Sequence, residues 1–226
     1  MTEYLPLLQG CTLFSTLPPT VMKAELLPHG QLREFTKGSY LLFPQQQLDY
    51  FAVLLKGSLR IEHIFSDGSY SITDRLRPGE VFGADLICTR SRKSPYHAIS
   101  AENCLLLVFP GELLQKGSLS ENTRLKITEQ LLTLIANLNM QKEYRLAILS
   151  QKGLRERIMT YLTMQADKRQ TESFTIPFSR EEMASFLCVN RSALSHELSL
   201  MKLDGLIDFR KNHFTVLHRK TEKPLL

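Results

Sequence analysis

Four polar side chains that can donate hydrogen bonds lie close together near the C-terminal end of the chain. They are Arg191, Ser192, Ser195 and His196. Leu194, Leu198 and Met201 recur at i, i+4 and i+7 of the same stretch, the spacing of a helix with one buried stripe. The polar residues are then left on the exposed side. Because the major groove of DNA presents acceptors on its base edges, this face suits the reading of DNA sequence.

The preceding residues predict a second helix and a tight turn. Ser179, followed by Glu182 three residues later, is a capping-box pattern that starts a short helix. Residues 188–189 form the turn, and Asn190 caps a helix from Arg191 to about 203. The pattern predicts a helix-turn-helix.

Two alternating stretches follow and enclose a basic tip. Residues 206–209 and 214–217 alternate like paired strands, and Arg210-Lys211-Asn212-His213 lies between them. The charge of this tip suits phosphate groups. Helix, turn, polar-faced helix and basic hairpin in this order predict a winged helix-turn-helix, with an ordinary helical hairpin as the alternative.

The charge of the chain is placed unevenly. The 226 residues have room for two domains, and the net charge is +5. Residues 150–226 hold 13 Lys or Arg against 9 Asp or Glu, whereas residues 1–149 hold 15 against 14. The basic excess coincides with the predicted winged helix-turn-helix, as attraction to phosphate requires.

The spacing of cysteines and histidines argues against a metal site. Cys11, Cys88, Cys104 and Cys188 form no CxxC pair, and the six histidines are scattered. No nucleophile, base and orienting group stand at a readable spacing, so we expect no enzyme. There is no secretory signal pattern and no apolar run of ~20 residues, so we expect a reduced cytoplasm and no membrane partner.

Residues 30–110 consist of short apolar runs separated by turns that contain glycine, such as Lys56-Gly57 and Pro78-Gly79. Regular short strands of this kind predict an antiparallel sandwich or barrel. Asp67-Gly68, between two alternating runs, is a strong signal for a two-residue hairpin. We therefore expect an α+β chain with an N-terminal antiparallel β-barrel.

A long helix is predicted between the two parts. Residues 119–152 contain no glycine or proline, and Ser118 with Glu121 is a second capping-box pattern. A helix over 120–149 would be ~45 Å long, too long for one small barrel to cover. We favour pairing with its copy in a homodimer over packing along the barrel wall. The apolar residues recur close to a heptad repeat at Leu125, Leu131, Leu132, Ile135, Leu138, Leu146 and Leu149.

Barrel, long helix and winged helix-turn-helix in this order resemble the Crp/Fnr family of bacterial transcription regulators. The resemblance implies a cyclic-nucleotide-binding-like, cupin-type β-roll over 1–117, a dimerisation helix over 118–150 and a DNA-binding domain over 151–226. It also implies a homodimer on a palindromic operator of double-stranded DNA, contact with RNA polymerase, and a hinge, for which we predict Gly153. The best-marked segments are 54–61, 77–83, 155–158 and 190–198, of which the last is the most specific.

The resemblance also implies roles for single residues. In that scheme the four polar residues of the second helix read base edges, and Ser179 and Arg180 lie near the DNA backbone, with Asn190 and Lys211 completing the interface. Family members often carry arginine where His196 stands. Histidine offers a shorter single donor in place of a bidentate contact to guanine, so we expect a different half-site.

The roll departs from the pattern of the members that bind cyclic nucleotides. Those members carry Gly-Glu where this chain has Gly83-Ala84-Asp85, and Ala84 cannot accept a hydrogen bond from a ribose hydroxyl. The arginine that pairs with their cyclic phosphate is missing from the segment 94–98. We therefore expect cyclic AMP to bind poorly or not at all.

Other effectors stay open. An iron–sulfur cluster is not expected, because Cys11 is the only cysteine near the N-terminus. His97 has two open interpretations, an axial ligand of haem or a structural histidine. Lys142 could meet an anionic ligand or form an intersubunit pair with Glu143. Cys11 and Cys88 are further options as redox sensors, with Arg90 and Arg92 beside Cys88 as the one hint. The predicted effector pocket comprises Gly83, Ala84, Asp85, Tyr96, His97, Asn139, Lys142 and Glu143.

Three functions fit these patterns. The first is a dimeric, sequence-specific regulator switched by a small molecule or a redox signal. The second is a DNA-binding regulator whose roll is only structural, and the third is a sensor or interaction protein that does not bind DNA. Salt separates the third from the others, because binding to several phosphates weakens steeply as salt rises.

Overall fold

The computed structural model describes residues 1–64, 70–114 and 118–218. The chain divides into two compact units, Met1–Met140 and Gln141–Leu226. The dividing point falls inside the long helix Glu121–Leu149. The sequence predicts three domains that are defined by their roles, namely 1–117, 118–150 and 151–226. The two compact units are defined by contacts, so the three predicted domains stay a prediction. Within the described ranges, no helix is both long enough and apolar enough to cross a membrane.

Short helical segments and eight strands build the part of the first unit that the structure describes. The helical segments are a 3-10 turn at Thr2–Tyr4, α1 at Leu5–Gly10, α2 at Pro19–Val21, a π turn at Met22–Leu26 and a 3-10 turn at Leu27–His29. The strands are β1 Gln31–Phe35, β2 Tyr40–Leu42, β3 Tyr50–Lys56, β4 Leu59–Ile64, β5 Tyr70–Leu76, β6 Val81–Phe82, β7 His97–Ser100 and β8 Cys104–Pro110. Between and after them lie α3 Ala84–Ile87, a 3-10 turn at Gly111–Leu114 and α4 Glu121–Leu149.

The strands form two separate antiparallel sheets, in the orders β1-β8-β3-β6 and β2-β7-β4-β5. The α+β class and the β-roll are confirmed, but the expectation of a closed barrel is wrong. Turn spacing predicts strands without fixing whether they close into one sheet or split into two. β4 and β5 pair as predicted, from Leu59 with Leu76 to Ile64 with Tyr70. The predicted Asp67-Gly68 turn between them lies outside the described residues.

Both faces of the first sheet are covered. In β3, Phe51 and Val53 join a core with the N-terminal helices and with Ile127 and Leu131 of α4. The alternate residue Leu54 joins a second core between the two sheets. This double burial explains why β3 is a continuous apolar run rather than an alternating one.

The start of α4 differs from the prediction. Ser120, rather than Ser118, is the cap, because its Oγ accepts from the Thr123 N–H over 3.3 Å. The Ser120 N–H donates to Glu25 Oε2 over 3.0 Å. The predicted capping box of Ser118 with Glu121 is therefore wrong, since a carboxylate from a distant segment takes the place of the local one.

Up to residue 218, the second unit contains the end of α4, three further helices and a three-stranded sheet. They are α5 Leu154–Arg169, β9 Ser173–Thr175, α6 Arg180–Phe186, α7 Arg191–Leu203, β10 Ile207–Arg210 and β11 His213–Val216, with the sheet order β10-β11-β9. α5 extends to Arg169, because Ala166, Lys168 and Arg169 are good helix formers. β9 was not predicted from the sequence, and it pairs with β11 at the edge of the sheet.

Two glycines of the roll offer a matched test of close packing. Gly57 and Gly38 have φ values of 83° and 84°, and both favour glycine. A Cβ at Gly57 would overlap the Asn103 carbonyl oxygen, whereas one at Gly38 would meet nothing within 4 Å. We expect Gly38→Ala to cost about 1 kcal/mol of unfolding free energy and Gly57→Ala about 2 kcal/mol more, measured by urea denaturation. Equal losses would show that the close approach at Gly57 is not a constraint.

Candidate nucleic-acid interface

Side-chain caps fix where the two helices of the motif begin. At α6 the Ser179 N–H donates to Glu182 Oε2 over 2.8 Å, and the Glu182 N–H donates to Ser179 Oγ over 3.2 Å. At α7 the Asn190 Oδ1 accepts from the Ala193 N–H over 2.7 Å. Both predicted caps are confirmed. They determine which residues the first turn of each helix exposes.

α7 has one buried and one exposed face. Leu194, Leu198 and Met201 are 0% exposed, so the predicted stripe is confirmed. The exposed face carries the four residues predicted to read base edges, Arg191, Ser192, Ser195 and His196. The structure thus brings these side chains together on the outer side of α7.

Arg191 is held only loosely. Its Nη1 lies 3.7 Å from Glu181 Oε2, and the two side chains are 66% and 73% exposed. Water screens an ion pair of this kind, which contributes little to stability. The guanidinium can therefore exchange Glu181 for a base edge or a phosphate at small cost.

Ser192 is part of the cap as well as of the exposed face. Its hydroxyl donates to Asn190 Oδ1 over 2.8 Å, so this oxygen accepts two hydrogen bonds. While the cap is intact, the Ser192 hydroxyl can accept from a ligand but not donate to it. Ser195, His196 and Arg191 carry the remaining donors of this face.

Arg180 is engaged inside the second unit. Its guanidinium lies 5.1 Å from the centre of the Phe209 ring and 5.5 Å from that of Phe214, and Nη2 donates to the Lys211 carbonyl over 3.0 Å. Burial, and then the nearby charge of Arg191, lower the pKa of Arg180. Arg180 therefore fixes the hairpin tip against α6, and the tip presents the exposed side chains of Arg210 and Lys211 as cations.

Arg155 of α5 links α5 to the middle and to the C-terminal end of α7. Its Nε donates to Glu197 Oε1 and its Nη1 to Asp204 Oδ2, each over 2.6 Å. These hydrogen bonds, first that to Glu197, raise the pKa of Arg155. This link between α5 and α7 was not predicted, although Arg155 lies in segment 155–158, one of those that carry the family resemblance. Arg155 had been counted only as part of the basic excess of residues 150–226, which was attributed to attraction for DNA.

Two further arginines hold the end of α6. Arg157 donates to the Leu187 carbonyl and Arg145 to the Phe186 carbonyl, both over 3.4 Å. Arg145 also lies 5.1 Å from the centre of the Phe186 ring. Cations at the C-terminal end of a helix favour its last carbonyls and its dipole. These contacts position the turn between α6 and α7.

The predicted effector pocket is brought together only in part. Gly83 has φ 78° and precedes α3, and Ala84 is buried at 2% exposure. The Tyr96 hydroxyl donates to Asp85 Oδ1 over 3.4 Å. Burial, and then Asp85, raise the pKa of Tyr96. Asp85 and Tyr96 therefore meet, and Tyr96 packs against the core between the sheets. Ala84 instead packs in the other core, with the N-terminal helices and α4.

His97 lies on the opposite side of its strand. Ala98 belongs to the core between the sheets, so His97 points away from it. The ring lies edge-on to Tyr40 and Phe43, at 5.9 and 6.0 Å between ring centres. Its Nδ1 is buried and has no hydrogen-bond partner among the residues that the structure describes. His97 is thus separated from the group around Asp85.

The remaining predicted residues lie elsewhere. Asn139, Lys142 and Glu143 are exposed on α4. Gly153 caps α5 with φ −115° and ψ 163°, an extended conformation that any residue adopts. In the described ranges, no three His, Cys, Asp or Glu side chains converge in a way that could hold a metal ion.

Together, a two-sheet β-roll, a long helix and a winged helix-turn-helix define the class of two-domain DNA-binding regulators. Comparison with known proteins identifies the family. Residues 32–117 match the family described as "Cyclic nucleotide-binding domain", and residues 156–221 match the "Crp-like helix-turn-helix domain".

Named relatives agree with these matches. The chain is 22% identical over 194 residues to the Global nitrogen regulator of Synechococcus elongatus, covering 84% of this chain and 83% of that protein. It is 24% identical over 200 residues to the Transcriptional activator protein FnrL of Cereibacter sphaeroides, covering 81% and 75%. The solved structure of the global regulator CLP of Xanthomonas campestris has the same fold, with a TM-score of 0.67 at 17% identity over 89% of this chain and 100% of that one. The chain belongs to the Crp/Fnr family of transcription regulators, which are not enzymes, and the predicted resemblance is confirmed.

The Asn190 cap predicts a specific pattern of stability. Asn190→Ala removes the acceptor for the Ala193 N–H, and we expect a loss of about 1 kcal/mol of unfolding free energy. Asn190→Asp keeps an acceptor, so we expect a change within about 0.5 kcal/mol. Chemical denaturation measures both. A similar loss in the two variants would show that the cap does not stabilise α7.

The four thiols should divide into two pairs. Cys88 and Cys188 are exposed, whereas Cys11 and Cys104 are buried. Burial raises the pKa of Cys11 to about 11, so Cys11 stays protonated at pH 8. Burial also raises the pKa of Cys88, but its exposed sulfur still reacts through the small thiolate fraction. Titration of the native chain with Ellman's reagent at pH 8 should count two thiols, and four after unfolding. Rapid reaction of Cys11 in the native chain would contradict this assignment.

Proposed function

We propose that the chain is a homodimeric, sequence-specific regulator that binds a palindromic operator through the exposed face of α7 in each subunit. We further propose that it works in the cytoplasm, contacts RNA polymerase and responds to a small molecule in the β-roll other than cyclic AMP. The observation that carries the proposal is the loosely paired Arg191 at the start of α7, beside Ser195 and His196.

The geometry of α7 supports the reading of a major groove. Its first turn presents donors to solvent, and base edges in the major groove offer N7 and O6 acceptors on guanine and N7 on adenine. The exposed Lys211 at the hairpin tip supplies a cation for phosphate. A recognition helix with base-reading side chains at its N-terminal end and a flanking phosphate contact is how helix-turn-helix proteins dock.

A homodimer is supported by the exposed apolar side of α4. Leu125, Leu132 and Leu146 are 58%, 70% and 59% exposed, although other apolar residues of α4 are buried in the roll core. Apolar side chains of this size in one row on a helix are typical of an interaction surface. Two-fold symmetry would place one α7 at each half-site.

The inner side of the roll supports an effector other than cyclic AMP. Ala84 offers no side-chain acceptor, and Asp85 is occupied by the Tyr96 hydroxyl. The Ser94 hydroxyl donates to the Tyr96 carbonyl over 2.8 Å, and Arg90 is exposed. These residues do not fit a cyclic phosphate, which needs a fixed guanidinium. The raised thiol pKa values of Cys11 and Cys88 favour a small molecule over a redox signal.

Selection of operators from random duplex DNA tests the proposal. The protein should enrich one palindrome, and Arg191→Ala should lose about 1–3 kcal/mol of discrimination, roughly 5- to 150-fold in relative affinity. Lys168→Ala is the matched control, because it removes the same charge from an exposed position of the second unit. Circular dichroism checks that both variants fold.

The outcomes separate clearly. Binding of the selected duplex should weaken steeply with salt, since phosphate contacts release counterions. Equal discrimination by Arg191→Ala and the native chain would remove Arg191 from the reading face. A folded protein whose binding to DNA neither selects a sequence nor depends on salt would contradict the proposed function.

A further inference from the structure

The exposed row on α4 has one polar member. Leu125, Leu132 and Leu146 follow a seven-residue spacing, and Asn139 occupies the position between the last two. All four are exposed, whereas Ile127 and Leu131 of the same helix are buried in the roll core. The row is thus distinct from the side of α4 that packs in the first unit.

The spacing favours a second copy of α4 as the occupant of this row. A strict seven-residue repeat keeps a row in register only with a partner helix that has the same repeat, because both then supercoil around each other. α4 itself has this repeat. In a parallel two-fold pair each leucine of the row would lie opposite its own counterpart, and Asn139 opposite Asn139.

We propose that Asn139 sets the register and the two-stranded state of the α4 pair, an inference that rests on the proposed homodimer. An amide carries a donor and an acceptor, so two identical amides can pair with each other. A slip by one heptad would place each Asn139 opposite a leucine and leave both amides buried without a partner. Leucine at position 139 would pack equally well in the aligned register and in the register slipped by one heptad, so the pair would lose its preference for one register.

Asn137 provides a matched control. Asn137 is also an exposed asparagine of α4. Because it lies two residues before Asn139, its side chain leaves the helix in another direction and is not part of the leucine row. Sedimentation equilibrium of the full chain should show a single dimer for the native protein and for Asn137→Leu. Asn139→Leu should associate at least 10-fold more tightly or form species larger than a dimer, as coiled coils do when a lone polar position becomes apolar.

Disulfide trapping tests the register itself. Leu125→Cys and Leu132→Cys are placed in separate chains that also carry Cys88→Ser and Cys188→Ser, which remove the exposed native thiols. Oxidation of the mixture should give only 125–125 and 132–132 links when Asn139 is present. Asn139→Leu should add 125–132 links.

The outcomes distinguish this inference from the homodimer. A native dimer in which Asn139→Leu behaves like Asn137→Leu and gives no 125–132 links would overturn the role of Asn139 and leave the dimer standing. A native chain that stays monomeric at all concentrations would overturn both.

Discussion

The burial of one face of α7 is the constraint on which the rest of the second unit depends. Leu194, Leu198 and Met201 are completely buried in the core of that unit. A helix anchored by three such side chains cannot rotate without exposing apolar area, at a cost of about 1.5–3 kcal/mol for each. Its opposite side is therefore fixed as the exposed side. The Asn190 cap sets the start of this face, and Arg155 ties α7 to α5.

Several basic residues of the second unit serve its own structure. Arg155 bonds to acidic side chains of α7, while Arg145 and Arg157 bond to carbonyls at the end of α6. Arg180 is enclosed by the aromatic rings of the hairpin. The exposed positive charge that the second unit leaves for a ligand is therefore smaller than composition indicates, and it includes Arg191, Arg210 and Lys211. Charge count placed the DNA-binding domain correctly but did not separate these two groups.

Local patterns predicted the helix-turn-helix well, because its caps, turn and stripe lie within a few residues of one another. Contacts between distant segments were beyond such patterns. Ser120 caps α4 with help from Glu25, which is far away in sequence, so the nearer Ser118 was chosen wrongly. Strand pairing likewise decides between a closed barrel and two sheets. Among the predicted effector residues, Asp85 and Tyr96 meet, whereas His97, on the next position of the chain, faces the other side.

Methylation interference on the operator would test the central claim most directly, namely that α7 of two subunits reads two major grooves. Dimethyl sulfate methylates guanine N7 in the major groove and adenine N3 in the minor groove, which are the atoms exposed there. We predict that N7 methylation blocks binding in two patches about 10 base pairs apart, one helical turn. Interference confined to adenine N3, or a single patch on a monomer-sized complex, would contradict the proposed mode of binding.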